Sequence, residues 1–139
     1  MKKNKKKIFI QDYGTYRNEI LVMAGITDKQ EVFRFLKKNR VKPDISKWIL
    51  ADFNEWKEAI EKKQKGLFCW NEECYATSLF LRTPEDTWDY WEVLMHECHH
   101  IVQQMASAKM MLKEMDAQAY LFEYLFHNIR RKLMGIDKI

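Results

Sequence analysis

Glycine, proline and cysteine are all scarce in this 139-residue chain, which has four glycines, two prolines and three cysteines. No repeat, low-complexity stretch or internal linker interrupts it, so its length predicts one domain with a single core. Long apolar runs are also missing, and we therefore expect no transmembrane helix and no membrane partner. The short run Ile8-Phe9-Ile10 is too brief for the apolar part of a secretory signal. Few cysteines and no signal are typical of a reducing compartment, which predicts a cytoplasmic protein.

The surplus of positive charge is concentrated at one end of the chain. The formal net charge is +4, but five lysines lie within residues 1–7, which leaves 19 basic and 20 acidic residues in the remainder. We therefore predict a basic flexible tail over residues 1–7 and a single domain over residues 8–139. A nucleic-acid binder would need basic residues clustered on a folded face. Only Arg130-Arg131-Lys132 qualifies, and those residues more simply complement a helix C-terminus, so a nucleic-acid partner is not expected.

The first half of the chain is predicted to form two strands followed by two helices. Apolar runs favour strands over residues 7–11 and 19–23. Thr27 opens a capping-box pattern that predicts the start of the first helix. Apolar residues at helical spacing continue into a second helix, for which Gly66 is a plausible stop.

The second half of the chain returns to strands and then to helices. Residues 67–70 and 75–82 are predicted to form an antiparallel pair. Thr83 and Pro84 then give the pattern of a helix start, a capping threonine followed by a proline at the first turn. The expected fold class is α+β, with a small, mainly antiparallel sheet, flanking helices and a two-helix metal site near the C-terminus.

The helix that follows contains the pattern His-Glu-x-x-His, as His96-Glu97-Cys98-His99-His100. Residues four apart share one face of a helix, so His96 and His100 would offer two imidazoles to one zinc ion. Glu97 lies beside the first histidine, where a carboxylate can take a proton from water on the metal. Apolar residues flank the pattern on both sides, and buried polar groups need partners, which favours shared metal coordination. Cys98 and His99 point elsewhere and are interpreted as packing or surface residues.

A catalytic zinc ion usually has three protein ligands, so a third ligand is expected further along the chain. His127 lies far down the next helix, which makes Glu114 and Asp116 the better candidates. In one continuous helix, His100 and Asp116 would lie about 24 Å apart, too far to share a metal. The metal hypothesis therefore requires a chain reversal within residues 107–113.

His-Glu-x-x-His followed by an acidic residue and then by Ala117-Gln118-Ala119-Tyr120-Leu121 resembles the glutamate-zincin metallopeptidases. The similarity covers roughly residues 87–124 and is greatest to small phage- and bacterium-encoded members. It implies that His96 and His100 bind zinc, that Glu97 is the catalytic base, and that Asp116 is the third ligand, with Glu114 as the alternative. Asp116 departs from the family's glutamate, and the fifteen residues before it form a shorter connection than in the aminopeptidase branch. The glycine-rich segment with which those aminopeptidases hold a free amino terminus is absent, so trimming of amino termini is not expected.

The resemblance implies a zinc-dependent peptidase that hydrolyses a peptide bond with water activated by Glu97. Tyr120 and His127 are candidate donors to the oxyanion or partners of the ligands, with packing as the alternative for both. A peptide or protein substrate would lie along an edge strand beside the active-site helix, predicted at residues 75–82. The alternative function is an inactive zincin-like module that binds metal and acts through protein–protein interaction, for example a phage-borne regulatory protein.

Overall fold

The computed structural model describes residues 5–71, 77–108 and 114–136. Within these ranges the chain forms strands and helices in the order ββααββαα. The elements are β1 (Lys7–Tyr13), β2 (Tyr16–Ala24), α1 (Lys29–Lys38), α2 (Pro43–Glu61), β3 (Gly66–Trp70), β4 (Thr77–Leu81), α3 (Trp88–Ala108) and α4 (Met115–Leu133). No helix in the described ranges is both long enough and apolar enough to cross a membrane.

The strands of the described chain form a single mixed sheet with the order β1-β2-β4-β3. β1 and β2 form an antiparallel hairpin, and β3 pairs with β4 antiparallel, as the sequence predicted. β2 and β4 pair in parallel, with Val22 opposite Leu79. The predicted class is confirmed: the fold is α+β with a mostly antiparallel sheet.

The predicted position of the edge strand is wrong. β4 lies inside the sheet between β2 and β3, so the strand predicted over residues 75–82 has no free edge where the structure describes it. The physical reason lies in Leu79, Phe80 and Leu81, which are all fully buried. Such an uninterrupted apolar run is typical of a strand covered on both faces. The edge strands are β1 and β3, and residues 75–76 lie outside the described part of the chain.

Two helices cover each face of the sheet, and each pair encloses its own apolar core. α1 and α2 pack on one face through side chains such as Val32, Leu36, Phe53 and Trp56. α3 and α4 pack on the other face through Leu94, Ile101, Leu121 and Leu125, among others. Alternate residues of the strands point to opposite faces, which is why neighbouring strand residues divide between the two cores.

Both α1 and α3 begin later than the sequence predicted, α1 by one residue and α3 by several residues. Asp28, rather than Thr27, caps α1, because its carboxylate accepts from the Gln30 amide at 2.9 Å. α3 begins at Trp88, and the Thr87 hydroxyl accepts from the Tyr90 amide at 3.2 Å. Residues 82–86 precede the helix, and two side chains of its first turn donate hydrogen bonds back to them. In these bonds the Tyr90 hydroxyl donates to the Arg82 carbonyl, and the Trp91 indole donates to Asp86.

α3 and α4 are separate helices, as the metal hypothesis requires. Their apolar faces meet in one core, where Leu121 and Leu125 pack with Ile101 and Met105. Residues 109–113, which form most of the segment predicted to contain the reversal, lie outside the described part of the chain. Of the tail predicted over residues 1–7, Lys7 is the first residue of β1, and the Lys6 ammonium contacts the Glu31 carboxylate at 2.6 Å. Residues 1–4 lie outside the described part of the chain.

Candidate metal centre and cleft

His96 and His100 direct their side chains towards a common point on the exposed side of α3. Their Nε2 atoms are 3.0 Å apart, and the two rings meet edge to face with centroids 4.6 Å apart. Two nitrogen ligands of a tetrahedral zinc ion lie about 3.3 Å apart when each Zn–N distance is about 2.05 Å. The histidine pair therefore fits a divalent metal, and the same spacing also permits one ring to donate a hydrogen bond to the other.

Glu97 lies next to this pair but is turned inwards, with only 6% of its surface exposed. Burial raises the pKa of its carboxyl group, while His100, His96 and the donating Phe68 amide oppose that rise. The backbone of β3 therefore fixes the carboxylate from one side, and the histidines lie on the other. Burial therefore favours the protonated form of this carboxyl group more than at an exposed glutamate, and its three neighbours favour the ionised form.

A close approach of α3 to β3 brings Glu97 to this position, and Gly66 makes that approach possible. A Cβ atom added at Gly66 would lie 2.9 Å from a Val93 methyl carbon and 3.2 Å from the Glu97 Cγ. The sequence suggested that Gly66 stops a helix, but α2 ends at Glu61, and Lys63 takes the left-handed conformation instead, with φ 63°. The function of Gly66 is therefore to leave room for the glutamate.

The space between α3 and β3 is a cleft of about 810 Å³ that contains Glu97 and His100 in its wall. The other described residues of its lining are uncharged, and they include Gln64, Leu67, Phe68, Trp70, Gln103 and Gln104. The Gln104 side-chain carbonyl oxygen is buried and accepts no hydrogen bond from the described part of the protein. A smaller cavity of about 390 Å³ continues past His96 and is lined by Lys65, Asp89 and Glu92.

The residues predicted on α4 lie elsewhere. Glu114 and Asp116 are exposed at the start of that helix. Tyr120 is 49% exposed and stacks on Tyr124, while His127 lines a separate cavity of about 480 Å³ beside it. None of these four residues lines either cavity at the histidine pair. The structure thus brings together His96, Glu97 and His100, and the roles predicted for the α4 residues stay predictions.

A different group of possible ligands lies on the opposite face of the sheet and was missed by the sequence analysis. Asp52, Glu55 and Cys69 have ligand atoms within 4.8 Å of one another, the single group of three or more found in the described residues. The Ser78 hydroxyl donates to Asp52 at 3.2 Å, and the Cys69 thiol contacts Glu55 at 3.9 Å. Burial and the two neighbouring carboxylates raise the pKa of the thiol, which disfavours the thiolate that binds metals. The i, i+3 spacing of Asp52 and Glu55 was the available signal, but their approach to Cys69 depends on the packing of α2.

Comparisons of the chain with protein-family models, with curated proteins and with solved structures find no match.

Proposed function

We propose that the protein is a zinc-dependent metallopeptidase whose reaction centre is formed by His96, Glu97 and His100. One observation carries this proposal: the two imidazole nitrogens converge to 3.0 Å beside a buried carboxylate, in the wall of a cleft. Zinc held by the two histidines would supply a Lewis acid that polarises a carbonyl group and acidifies water.

The chain's own groups perform the proton transfers in this mechanism. Glu97 accepts a proton from the attacking water and later gives it to the leaving amine. The raised pKa of its carboxyl group suits both steps, because a base of moderately high pKa also serves as an acid. The Phe68 amide, which donates to this carboxylate, holds it in place during the exchange.

The exposed edge of β3 is the proposed docking site for the substrate. In the described chain β3 pairs with β4 alone, and the cleft runs along its other side. An extended peptide can add to such an edge through main-chain hydrogen bonds. The substrate class is therefore an extended, unfolded segment of a peptide or protein.

Asp116 remains the proposed third zinc ligand, and Glu114 remains its alternative. Both are carboxylates at the start of α4, and aspartate or glutamate suits zinc together with two imidazoles. Zinc titration of Asp116→Ala and Glu114→Ala assigns the role. The third ligand is the residue whose replacement weakens zinc binding. If the zinc affinity is unchanged in both variants, neither residue is a ligand.

Glu97→Gln tests whether the site is catalytic. The substitution removes the basic oxygen but leaves both imidazoles, so zinc content should stay near that of the wild type while peptide hydrolysis falls by about 10² or more. His100→Ala should instead lose both zinc and hydrolysis. Metal analysis and cleavage of a peptide library, performed on the wild type and both variants, provide the measurement.

The second candidate function is an inactive zincin-like module that binds a partner protein. It is favoured by the absence, among the described residues, of a third ligand atom within 4.8 Å of the histidine pair. A wild type that cleaves no peptide, together with a Glu97→Gln protein that keeps the biological effect, would establish this function in place of the peptidase.

The proposal also includes a cytoplasmic location and, for the module, a phage origin. Cys69 and Cys98 are free and buried, so neither needs an oxidising compartment. Expression as a fusion to a fluorescent protein, followed by cell fractionation, tests the location.

A further inference from the structure

A groove on the opposite side of the molecule from the histidine pair separates α1 from α2. Its volume is about 610 Å³. Its apolar lining includes the buried Leu36, the half-buried Val41 and Leu50, and Phe33, which is 48% exposed. Phe33 projects from α1 although that helix buries Val32 and Leu36 against the sheet. An exposed aromatic ring beside an apolar groove is typical of a surface that a partner covers.

Positive charge surrounds this groove. Three exposed lysines, Lys29, Lys37 and Lys47, belong to its lining, and no acidic residue is found among the described residues that line it. Residues 29–47 as a whole contain seven basic and two acidic residues. Outside this segment and the lysines of residues 1–7, acidic residues outnumber basic ones by 18 to 12. Outside residues 1–7, the excess of basic over acidic residues therefore falls in the segment that contains these three lysines.

We propose that the α1–α2 groove binds an acidic, amphipathic helix of a partner protein. Carboxylates on the partner would complement the lysines of the lining, and aliphatic side chains between them would pack on its apolar residues. This surface is independent of the peptidase site, so the proposal does not rest on the function proposed above.

A helix suits the groove better than an extended strand. The walls are two α-helices, whose backbone groups are already hydrogen-bonded within each helix, so they offer no edge with which a strand could pair. A bound helix satisfies its own backbone hydrogen bonds and needs only side-chain contacts. Apolar residues at i, i+3, i+4 and i+7 would then face Leu36, Val41 and Leu50, and acidic residues beside them would face the lysines.

The lining favours a protein partner over nucleic acid. Single-stranded nucleic acid binds to basic grooves through aromatic side chains on which successive bases stack. Phe33 is the one aromatic side chain among the described residues of this lining, beside the aliphatic Leu36, Val41 and Leu50. No arginine lines the groove in the described chain, although arginine is the usual residue for two-point contacts to phosphate.

The test uses a synthetic peptide of about 16 residues, with leucines at the four helical positions and glutamates elsewhere. Fluorescence anisotropy of the labelled peptide measures its binding to the complete protein. Phe33→Ala and Lys37→Glu/Lys47→Glu should each weaken binding by about tenfold or more. Lys38→Glu/Lys57→Glu is the matched control, because it changes the same charge at exposed positions of the same two helices outside the lining, and it should alter binding by less than about threefold.

Four results would overturn the proposal. The first is no binding of the peptide at all. The second is equal binding of a scrambled peptide of the same composition, since that would show attraction of charge alone. The third is tighter binding of a single-stranded oligonucleotide that is sensitive to the same variants. The fourth is a dimer in sedimentation analysis that Phe33→Ala dissociates, which would make a second copy of the chain the occupant. Circular dichroism of each variant confirms that the fold is retained.

Discussion

Glu97 and Asp52 are carboxylates on opposite faces of the sheet, and both are shielded from solvent, Glu97 more than Asp52. Burial raises the pKa of both groups. At Glu97 the histidines and the Phe68 amide oppose the rise. At Asp52 the Ser78 hydroxyl opposes it and Glu55 adds to it, and the pKa reaches about 6. A raised pKa means that the ionised form of each carboxylate destabilises the folded state, which an exposed carboxylate would not do.

Asp52 predicts a specific dependence of stability on pH. Its pKa is about 6 in the folded protein against 3.8 for the ordinary group, so between these values the folded state binds more protons than the unfolded state. Stability contributed by this group is thus present below about pH 4 and is lost as the pH rises towards 6. Asp52→Asn, which keeps an acceptor for Ser78, should raise the unfolding free energy at pH 7.5 by roughly 1 kcal/mol, a value reduced for solvent screening.

Urea unfolding at pH 7.5 and pH 4 measures this difference between Asp52→Asn and the wild type. The gain should disappear at the lower pH. Glu58→Gln, an exposed change on the same helix, is the control and should show little effect at either pH. A gain of equal size at both pH values would contradict the assignment to ionisation of Asp52.

Gly66→Ala should disturb both stability and the reaction centre. The added methyl group would lie within 2.9 Å of Val93 and 3.2 Å of Glu97, so α3 must move away from β3. We expect a loss of about 1–3 kcal/mol in unfolding free energy, as for other overpacked sites. The double variant Gly66→Ala/Val93→Ala removes the nearest contact and should recover part of that loss relative to the two single variants. Strict additivity in a denaturation cycle would show that the close approach has no energetic consequence.

At the scale of elements, the ends of α1 and α2 share an unusual feature. Arg40 and Lys63 have φ values of 54° and 63°, in the left-handed region that glycine usually occupies. After α1 the Val41 amide donates to the Leu36 carbonyl, and after α2 the Gln64 amide donates to the Ala59 carbonyl. Both helices therefore end in the hydrogen-bond pattern of a Schellman motif with a basic residue at its strained position.

Arg40→Gly should stabilise the protein by about 1 kcal/mol, because glycine enters the left-handed region without the steric penalty of a Cβ atom. Lys38→Gly provides the matched comparison: it places the same residue two positions earlier, inside α1, where glycine should destabilise by about 0.5–1 kcal/mol. Chemical denaturation of both variants gives the signs. If both changes destabilise, the strain assigned to Arg40 is absent.

Local sequence patterns predicted which strands and helices form. They predicted less well where these elements begin and which elements lie beside them. The apolar runs over residues 7–11 and 19–23 predicted β1 and β2, and the i, i+4 spacing predicted that His96 and His100 share a face. Whether a strand is central or at an edge depends on residues distant in the sequence, which is why the position of β4 was wrong. The start of α3 was also misplaced: the Tyr90 hydroxyl and the Trp91 indole donate back to the Arg82 carbonyl and the Asp86 carboxylate, contacts that the capping pattern at Thr83 does not show. The cluster at Cys69 also depends on tertiary packing.

At the scale of the whole molecule, the sheet separates two apolar cores and is shared by both. β2 and β4 lie at its centre, and their apolar residues contribute to the cores on both faces. Loss of either helix pair would expose one face of these strands. The two halves of the molecule should therefore unfold together.

This arrangement predicts the pattern of amide hydrogen exchange. Amides of β2 and β4 that bond across the sheet, over residues 21–24 and 78–81, should exchange slowest and report the global unfolding free energy. Amides of the edge strand β1 should exchange faster through local opening. Native-state exchange followed by mass spectrometry makes the comparison, with residues 29–38 of α1 as an internal reference. Equal protection of β1 and β2 would argue against a central pair that opens last.

The parallel pairing of β2 with β4 also has a consequence for synthesis on the ribosome. β1 can pair with β2 as soon as both have emerged, but Leu21 must wait for its partner Ser78. At about 5–20 residues per second, that interval lasts roughly 3–11 seconds. Throughout it the nascent chain carries an apolar strand with one edge unpaired, which is the kind of surface that aggregates or recruits a chaperone. Slow translation of this chain should therefore lower its soluble yield.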